Sequence, residues 1–170
     1  MLHDREAFAK LVQIHQGKIR AFLVRLCKQY DTADDLAQDT FLKAYQKIAD
    51  FKGSGSFSGW LFQIAFHCFL DMQRKTTRRA QVSAEYIAQM ELSADRYDRI
   101  STEQMDLEKA LAQLKEAETA AITLCHSFGF SHQEAADILK CPVGTVKTNI
   151  NRGKEKLKQS LAKQKKWKVA

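Results

Sequence analysis

Lys147, Thr148, Asn149, Asn151 and Arg152 stand within a run of six residues, and every one of them can hydrogen-bond to a base edge or a phosphate. Arginine and lysine pair with guanine and with phosphate, while a carboxamide can pair bidentately with adenine. Thr145 stands just before them. There it would meet a helix N-terminus, where backbone N–H groups and the helix dipole favour a phosphate. Such side chains read DNA only if a rigid element holds them on one face. Val146, Ile150 and Leu157 recur at helical spacing and supply the inward side of that element. Upstream, Ala135, Ala136, Ile138 and Leu139 give a preceding helix a small apolar side. Lys140-Cys141-Pro142-Val143 separates the two, because proline has no N–H and disfavours a helical conformation in the residue before it. The pattern is that of a helix-turn-helix, whose second helix lies in the major groove. An ordinary helical hairpin with a solvated basic face would share it.

Two further groups of residues carry possible chemistry. Asp35, Gln38, Asp39, Leu42 and Lys43 place carboxylates beside an apolar residue on one helix. That surface suits a basic partner with a small apolar centre, and equally a solvated acidic face. Phe51, Lys52, Ser56, Phe57, Trp60, His67, Arg74 and Lys75 combine aromatic faces, cations and small polar groups, the types needed to hold extruded bases and their phosphates. No nucleophile motif or phosphate-binding glycine loop is present, and Asp34-Asp35 has no evident catalytic context. The reading is not an enzyme, with no cofactor and no metal.

Composition agrees with a polyanionic partner. The chain of 170 residues carries a formal charge of +7 with a pI near 9.3. The charge is concentrated: the last 30 residues hold nine Lys/Arg and one acid, Glu155. Four cysteines, Cys27, Cys68, Cys125 and Cys141, form no CxxC pair. Cys125, His126, His132 and Cys141 match no zinc spacing, and the thiols read as small hydrophobes in a reducing cytoplasm. No apolar run approaches membrane-spanning length and no signal peptide is evident, so no membrane insertion is expected.

One proline and the absence of strand-like alternation predict an all-α chain. A helix over 6–30 has Phe8, Leu11, Val12, His15, Ile19, Phe22, Leu23 and Leu26 on its inner side. Thr32 with Asp35 predicts a capped helix from about Ala33, with Leu36, Ala37, Thr40, Phe41, Ala44, Tyr45 and Ile48 inward. Lys52 to Ser56 is a loop. A third helix from Ser58 to Lys75 turns Leu61, Ile64, Ala65, Cys68, Phe69 and Met72 inward. Residues 77–104 are polar with scattered apolar positions and read as a linker. The expected organisation is a domain over 1–76, the linker 77–104, a helix-turn-helix domain over 105–160 and a disordered basic tail over 161–170.

Two distant segments point to one family. DDLAQDTFLKAYQKIADFKGSGSFSGWLFQIAFHCFLDMQRK (34–75) resembles region 2 of the sigma-70 family of bacterial RNA polymerase initiation factors, and LEKALAQL with FSHQEAADILKCPVGTVKTNINRGKEKL (107–157) resembles region 4. The short linker leaves no room for a region 3 domain, as in the extracytoplasmic-function (ECF) subgroup. The resemblance implies two small helical domains and a subunit that binds core RNA polymerase, recognises promoters and helps open the duplex. Asp35, Gln38, Asp39, Leu42 and Lys43 match the segment that docks on the clamp helices of the largest polymerase subunit. Phe51 to Lys75 match the segment that melts and holds the −10 element, and Thr145 to Arg152 the helix that reads the −35 element. Further implied partners are the polymerase flap region, through the C-terminal domain, and an anti-sigma factor. Many relatives carry Asn where this chain has His67, Arg where it has Asn149, and Pro where it has Lys115. A stand-alone helix-turn-helix regulator would explain residues 105–170 but neither the acidic helix nor the FKGSGSFSGW loop.

Overall fold

The computed structural model describes residues 2–51, 53, 55–82 and 110–168, with side chains described from residue 5 to 79 and from 110 to 162. The chain divides into two compact units, Met1–Ser93 and Ala94–Ala170. Among the described residues there are helices and turns and no strand.

The first unit is built from α1 (Leu2–Cys27), α2 (Tyr30–Lys47) and α3 (Phe57–Val82), each packed on the other two. Their apolar stripes meet as the spacing predicts. Ile19, Phe22, Leu23 and Leu26 of α1 are buried against Ala33, Leu36 and Ala44 of α2 and Leu61, Ala65, Cys68 and Phe69 of α3. Phe62 is as deeply buried and meets Phe22 edge to face at 5.2 Å, although the expected stripe omitted it. Thr40 is buried without penalty because its hydroxyl donates to the Leu36 carbonyl at 2.6 Å.

Several local expectations are corrected. Helix α2 starts at Tyr30, not Ala33, and the Thr32–Asp35 capping box does not form; the Thr32 hydroxyl donates to the Gln29 side chain instead. A fork from Arg20 of α1 to Asp34, with the guanidinium 5.5 Å over the Tyr30 ring, holds this end of the helix. Asp34 therefore does have a basic companion. Tyr45 and Ile48 were expected inside but are exposed. The α-helix ends at Lys47 and a 3-10 turn, Ile48–Asp50, follows; its tighter winding carries Ile48 off the inner face. Tyr45 presents only one side of its ring to Phe8, at 5.1 Å. Helix α3 continues to Val82, so the first residues of the expected linker, 77–82, are helical. The rest of the expected linker, 83–104, lies outside the described residues.

In the second unit, α4 (Glu116–Ile122), a short π-helical turn (Thr123–Ser127), α5 (His132–Leu139) and α6 (Val143–Lys168) pack together. Ala120, Ala121, Leu124, Ala135, Ile138, Val146 and Ile150 form the core, joined by Ala110 and Leu114. Ser131 and Glu134 cap α5 reciprocally, at 3.2 and 2.8 Å. Lys140 adopts the left-handed conformation (φ 53°) that ends α5, and the Pro142 carbonyl then accepts from the Thr145 and Val146 amides to start α6. The tail expected to be disordered is helical through Lys168, as the last turns of α6.

Gly153 is buried where α6 crosses α4, and a Cβ there would collide with the Ile122 side chain. Gly153→Val should therefore destabilise this unit by about 1–3 kcal/mol, despite the better helix propensity of a residue with a side chain. Hydrogen exchange of α4 and α6 amides measures it; unchanged protection would mean that Ile122 moves freely aside.

Candidate nucleic-acid interface

Four outward residues of α2 align at intervals of three and four. Asp35, Gln38, Asp39 and Leu42 are all exposed, Leu42 by 58%. Lys43, grouped with them on sequence, turns the other way. It is half-buried, and its Nζ lies 3.8 Å from Asp71 of α3. In its place Tyr45 and Ile48 extend the apolar patch around Leu42.

The loop between α2 and α3 is closed by aromatic rings. Phe51, Phe57 and Trp60 form a triangle with centroids 5.4–5.5 Å apart, and His15 of α1 backs onto Phe57 at 5.5 Å. All three aromatic residues are half-buried. Rings expected to meet bases thus also pin the two ends of their own loop. Burial, and then the nearby Lys18, lower the pKa of His15. Between the rings, Gly53 (φ 72°) and Gly55 (φ 94°) take backbone conformations closed to most side chains. Ser56 is exposed, but its Oγ accepts the Gly59 N–H at 3.0 Å and caps α3. Lys52 lies outside the described residues.

Along α3, His67, Arg74 and Lys75 are exposed, and Arg78 and Arg79 continue the basic edge. Asp71, absent from the sequence-based site, lies in the middle of this face, 3.4 Å from Arg74 and bridged to Lys43. Its only sequence signal is a helical offset of four from His67 and three from Arg74. Both ion pairs are substantially exposed and contribute little to stability.

On α6, Thr145, Lys147, Thr148, Asn151 and Arg152 are exposed on the turns that follow Pro142. The Thr148 hydroxyl donates to the Gly144 carbonyl at 2.8 Å, which leaves its oxygen free only to accept. Asn149 is half-buried and, like Asn151 and Arg152, lines an open groove of about 570 Å³ together with Lys115, Glu118 and Lys156.

Glu118 anchors that groove. It is buried, accepts from Lys156 Nζ at 2.7 and 2.8 Å, and takes the Lys115 amide at 3.0 Å. A proline at 115 could not donate that last bond. Burial alone would raise the Glu118 pKa; the Lys156 and Lys115 interactions outweigh it and hold the carboxyl below its ordinary value of 4.5. A carboxylate lowered by folding stabilises the fold above its unfolded pKa and loses that contribution as pH falls through the folded one. The second unit should therefore weaken as pH drops below about 4.5, and Glu118→Gln should flatten this acid limb. Hydrogen exchange across a pH series checks it; an unchanged limb would place the acid sensitivity elsewhere.

Burial pushes all three half-buried thiols up, Cys27 to about 12, so none is poised as a thiolate.

A helix-turn-helix with a basic outer face, separate from a three-helix bundle with an acidic-apolar stripe beside a basic helix, defines a two-domain, all-α DNA-binding protein. Comparison with known proteins narrows the class. Residues 11–79 match the family model of sigma-70 region 2, and residues 104–157 that of sigma-70 region 4. The ECF RNA polymerase sigma factor SigW of Bacillus subtilis is 32% identical over 171 residues, covering 93% of this chain and 90% of SigW. The RNA polymerase sigma-H factor of Pseudomonas aeruginosa is also 32% identical, over 93% of this chain and 88% of its own length. The ECF sigma factor SigE of Mycolicibacterium smegmatis matches at 32%, but this chain spans 61% of it. Among solved structures, sigma factor RpoE of Bartonella quintana, in complex with the anti-sigma factor NepR, aligns with a TM-score of 0.77 and 32% identity over 92% of this chain and 98% of that one. CnrH, in complex with the cytosolic domain of CnrY, aligns with a TM-score of 0.65 and 27% identity over 93% and 89%.

The chain belongs to the sigma-70 family, in its ECF subgroup. It is a sigma factor, which binds core RNA polymerase and directs promoter recognition and transcription initiation.

Proposed function

We propose that three surfaces divide the work of this sigma factor. Asp35, Gln38, Asp39 and Leu42, widened by Tyr45 and Ile48, dock on the clamp helices of the largest polymerase subunit. The loop from Phe51 to Phe57, including Lys52 and Ser56, and the His67–Arg74–Lys75 side of α3, with Trp60 at its base, hold the −10 strand. Thr145, Lys147, Thr148, Asn149, Asn151 and Arg152 read the −35 element, while the rest of the second unit meets the polymerase flap. Lys43 contributes to the first surface only through the Asp71 bridge.

The observation that carries this reading is the stripe on α2. It leaves carboxylates and a 58% exposed leucine side by side, on a bundle whose core is otherwise well filled. Leu42, Tyr45 and Ile48, three large apolar residues exposed within seven positions, favour a docking surface over a solvated face. Sigma factor RpoE of Bartonella quintana was captured with the anti-sigma factor NepR, which supports an anti-sigma factor for this chain as well. The working place is the cytoplasm, where polymerase is; among the described residues no helix is long and apolar enough to cross a membrane. The protein carries out no catalysis of its own, in keeping with relatives that are sigma factors.

The test is transcription in vitro with core RNA polymerase, with and without this protein, on pooled genomic promoter fragments. New start sites that need the protein are the expected result, and their alignment yields the −10 and −35 sequences. No new starts together with no co-migration with core polymerase would overturn the reading.

A further inference from the structure

His67 stands on the exposed side of α3, one turn before Asp71, and its ring is held by its own helix. Nδ1 lies 2.8 Å from the backbone carbonyl oxygen of Gln63. A carbonyl oxygen only accepts, so Nδ1 must be the nitrogen that carries the proton. In a neutral imidazole the second nitrogen is then a bare acceptor. The ring nitrogens lie on opposite flanks, so tying Nδ1 to the backbone leaves Nε2 facing away from it. An asparagine at the same position could rotate to present either its amide N–H or its carbonyl. An imidazole with its one proton on Nδ1 has no such choice while the Gln63 bond stands.

We propose that His67 is a specificity determinant for the −10 strand: its Nε2 accepts a hydrogen bond from the exocyclic amine of adenine or cytosine and disfavours the carbonyl oxygen that guanine or thymine carries at the same place on the base. Adenine N6 and cytosine N4 are donors on that edge, whereas guanine O6 and thymine O4 are acceptors. An acceptor facing an acceptor leaves both unpaired and desolvated, so the rejection contributes as much as the attraction. The inference rests on the reading of α3 as the −10 face. The neighbouring charges suit the role. Asp71 is occupied by Arg74, one further turn along, and by Lys43, and leaves the base edge to His67.

The experiment uses the full chain bound to core RNA polymerase and a fork-junction DNA carrying a promoter from the transcription assay. Each −10 position of the non-template strand is set in turn to A, C, G or T. At one position, A or C should bind about threefold to tenfold better than G or T. His67→Asn should level that preference while keeping overall affinity, and His67→Ala should level it too. Purine riboside, which lacks the 6-amino group, should lose the advantage of adenine at that position alone. Arg74→Ala should weaken every sequence evenly. The same preference surviving in His67→Asn and His67→Ala, or a His67-dependent position that prefers G or T, would overturn the proposal. Equal binding of all four bases at every position by the wild-type complex would remove the −10 assignment of α3 itself, and the inference with it.

Discussion

Arg152→Ala and Lys147→Ala should each cut promoter use about 5- to 150-fold while leaving core polymerase binding intact, and Asp39→Arg should do the reverse. The first figure is the ordinary cost of about 1–3 kcal/mol for removing a base or phosphate contact from a reading helix. Both side chains are exposed on the turns of α6 after Pro142, so their loss disturbs no core. Lys147→Ala should also lower the salt dependence of promoter binding by about one unit of slope if it meets a phosphate. Asp39 sits next to Gln38 and one turn from Leu42, in the centre of the α2 stripe. Reversing its charge there opposes a basic partner surface and should reduce core binding at least about tenfold. Gel-shift of the holoenzyme on promoter DNA and co-migration with core polymerase measure the two activities separately. Equal loss of both in all three variants would mean unfolding, and the division of labour among surfaces would fall.

Phe62→Ala should cost about 3–5 kcal/mol and lower the melting temperature of the first unit by about 12 °C or more. Phe62 is 1% exposed and interlocks edge to face with Phe22, so alanine leaves a cavity between α1 and α3. Those helices carry both the polymerase stripe and the −10 face, so the variant should lose both functions on warming before the second unit melts. Thermal circular dichroism, with hydrogen exchange resolving α1–α3 from α4–α6, tests this. A fall of less than about 4 °C would show that the bundle closes around the gap.

Much of this was open to reading from the chain alone, for physical reasons that differ by segment. The helical period of Ile19, Phe22, Leu23 and Leu26 survives tertiary packing because a core must bury that stripe wherever it lies. Pro142 marks its turn because a missing N–H acts locally. The misreadings occur where distant atoms intervene. Arg20, fourteen residues from Asp34, helps to start α2 ahead of its apparent cap. The 3-10 turn after Lys47 changes the winding that the spacing of Tyr45 and Ile48 assumed.

The site residues follow the same division. Their types, and the acidic, aromatic and basic character of their three segments, are properties of the sequence, because hydrogen-bonding capacity and charge belong to the side chain. Which of them remain free to act is a property of the fold. Ser56 spends its oxygen on a helix cap, and Phe51 and Trp60 spend part of their surface on each other. The sequence by itself determined the family, the two helical units and the chemistry of each surface, since periodicity and composition are local. Only the tertiary structure decided which atoms face outward, because that depends on partners brought near by folding.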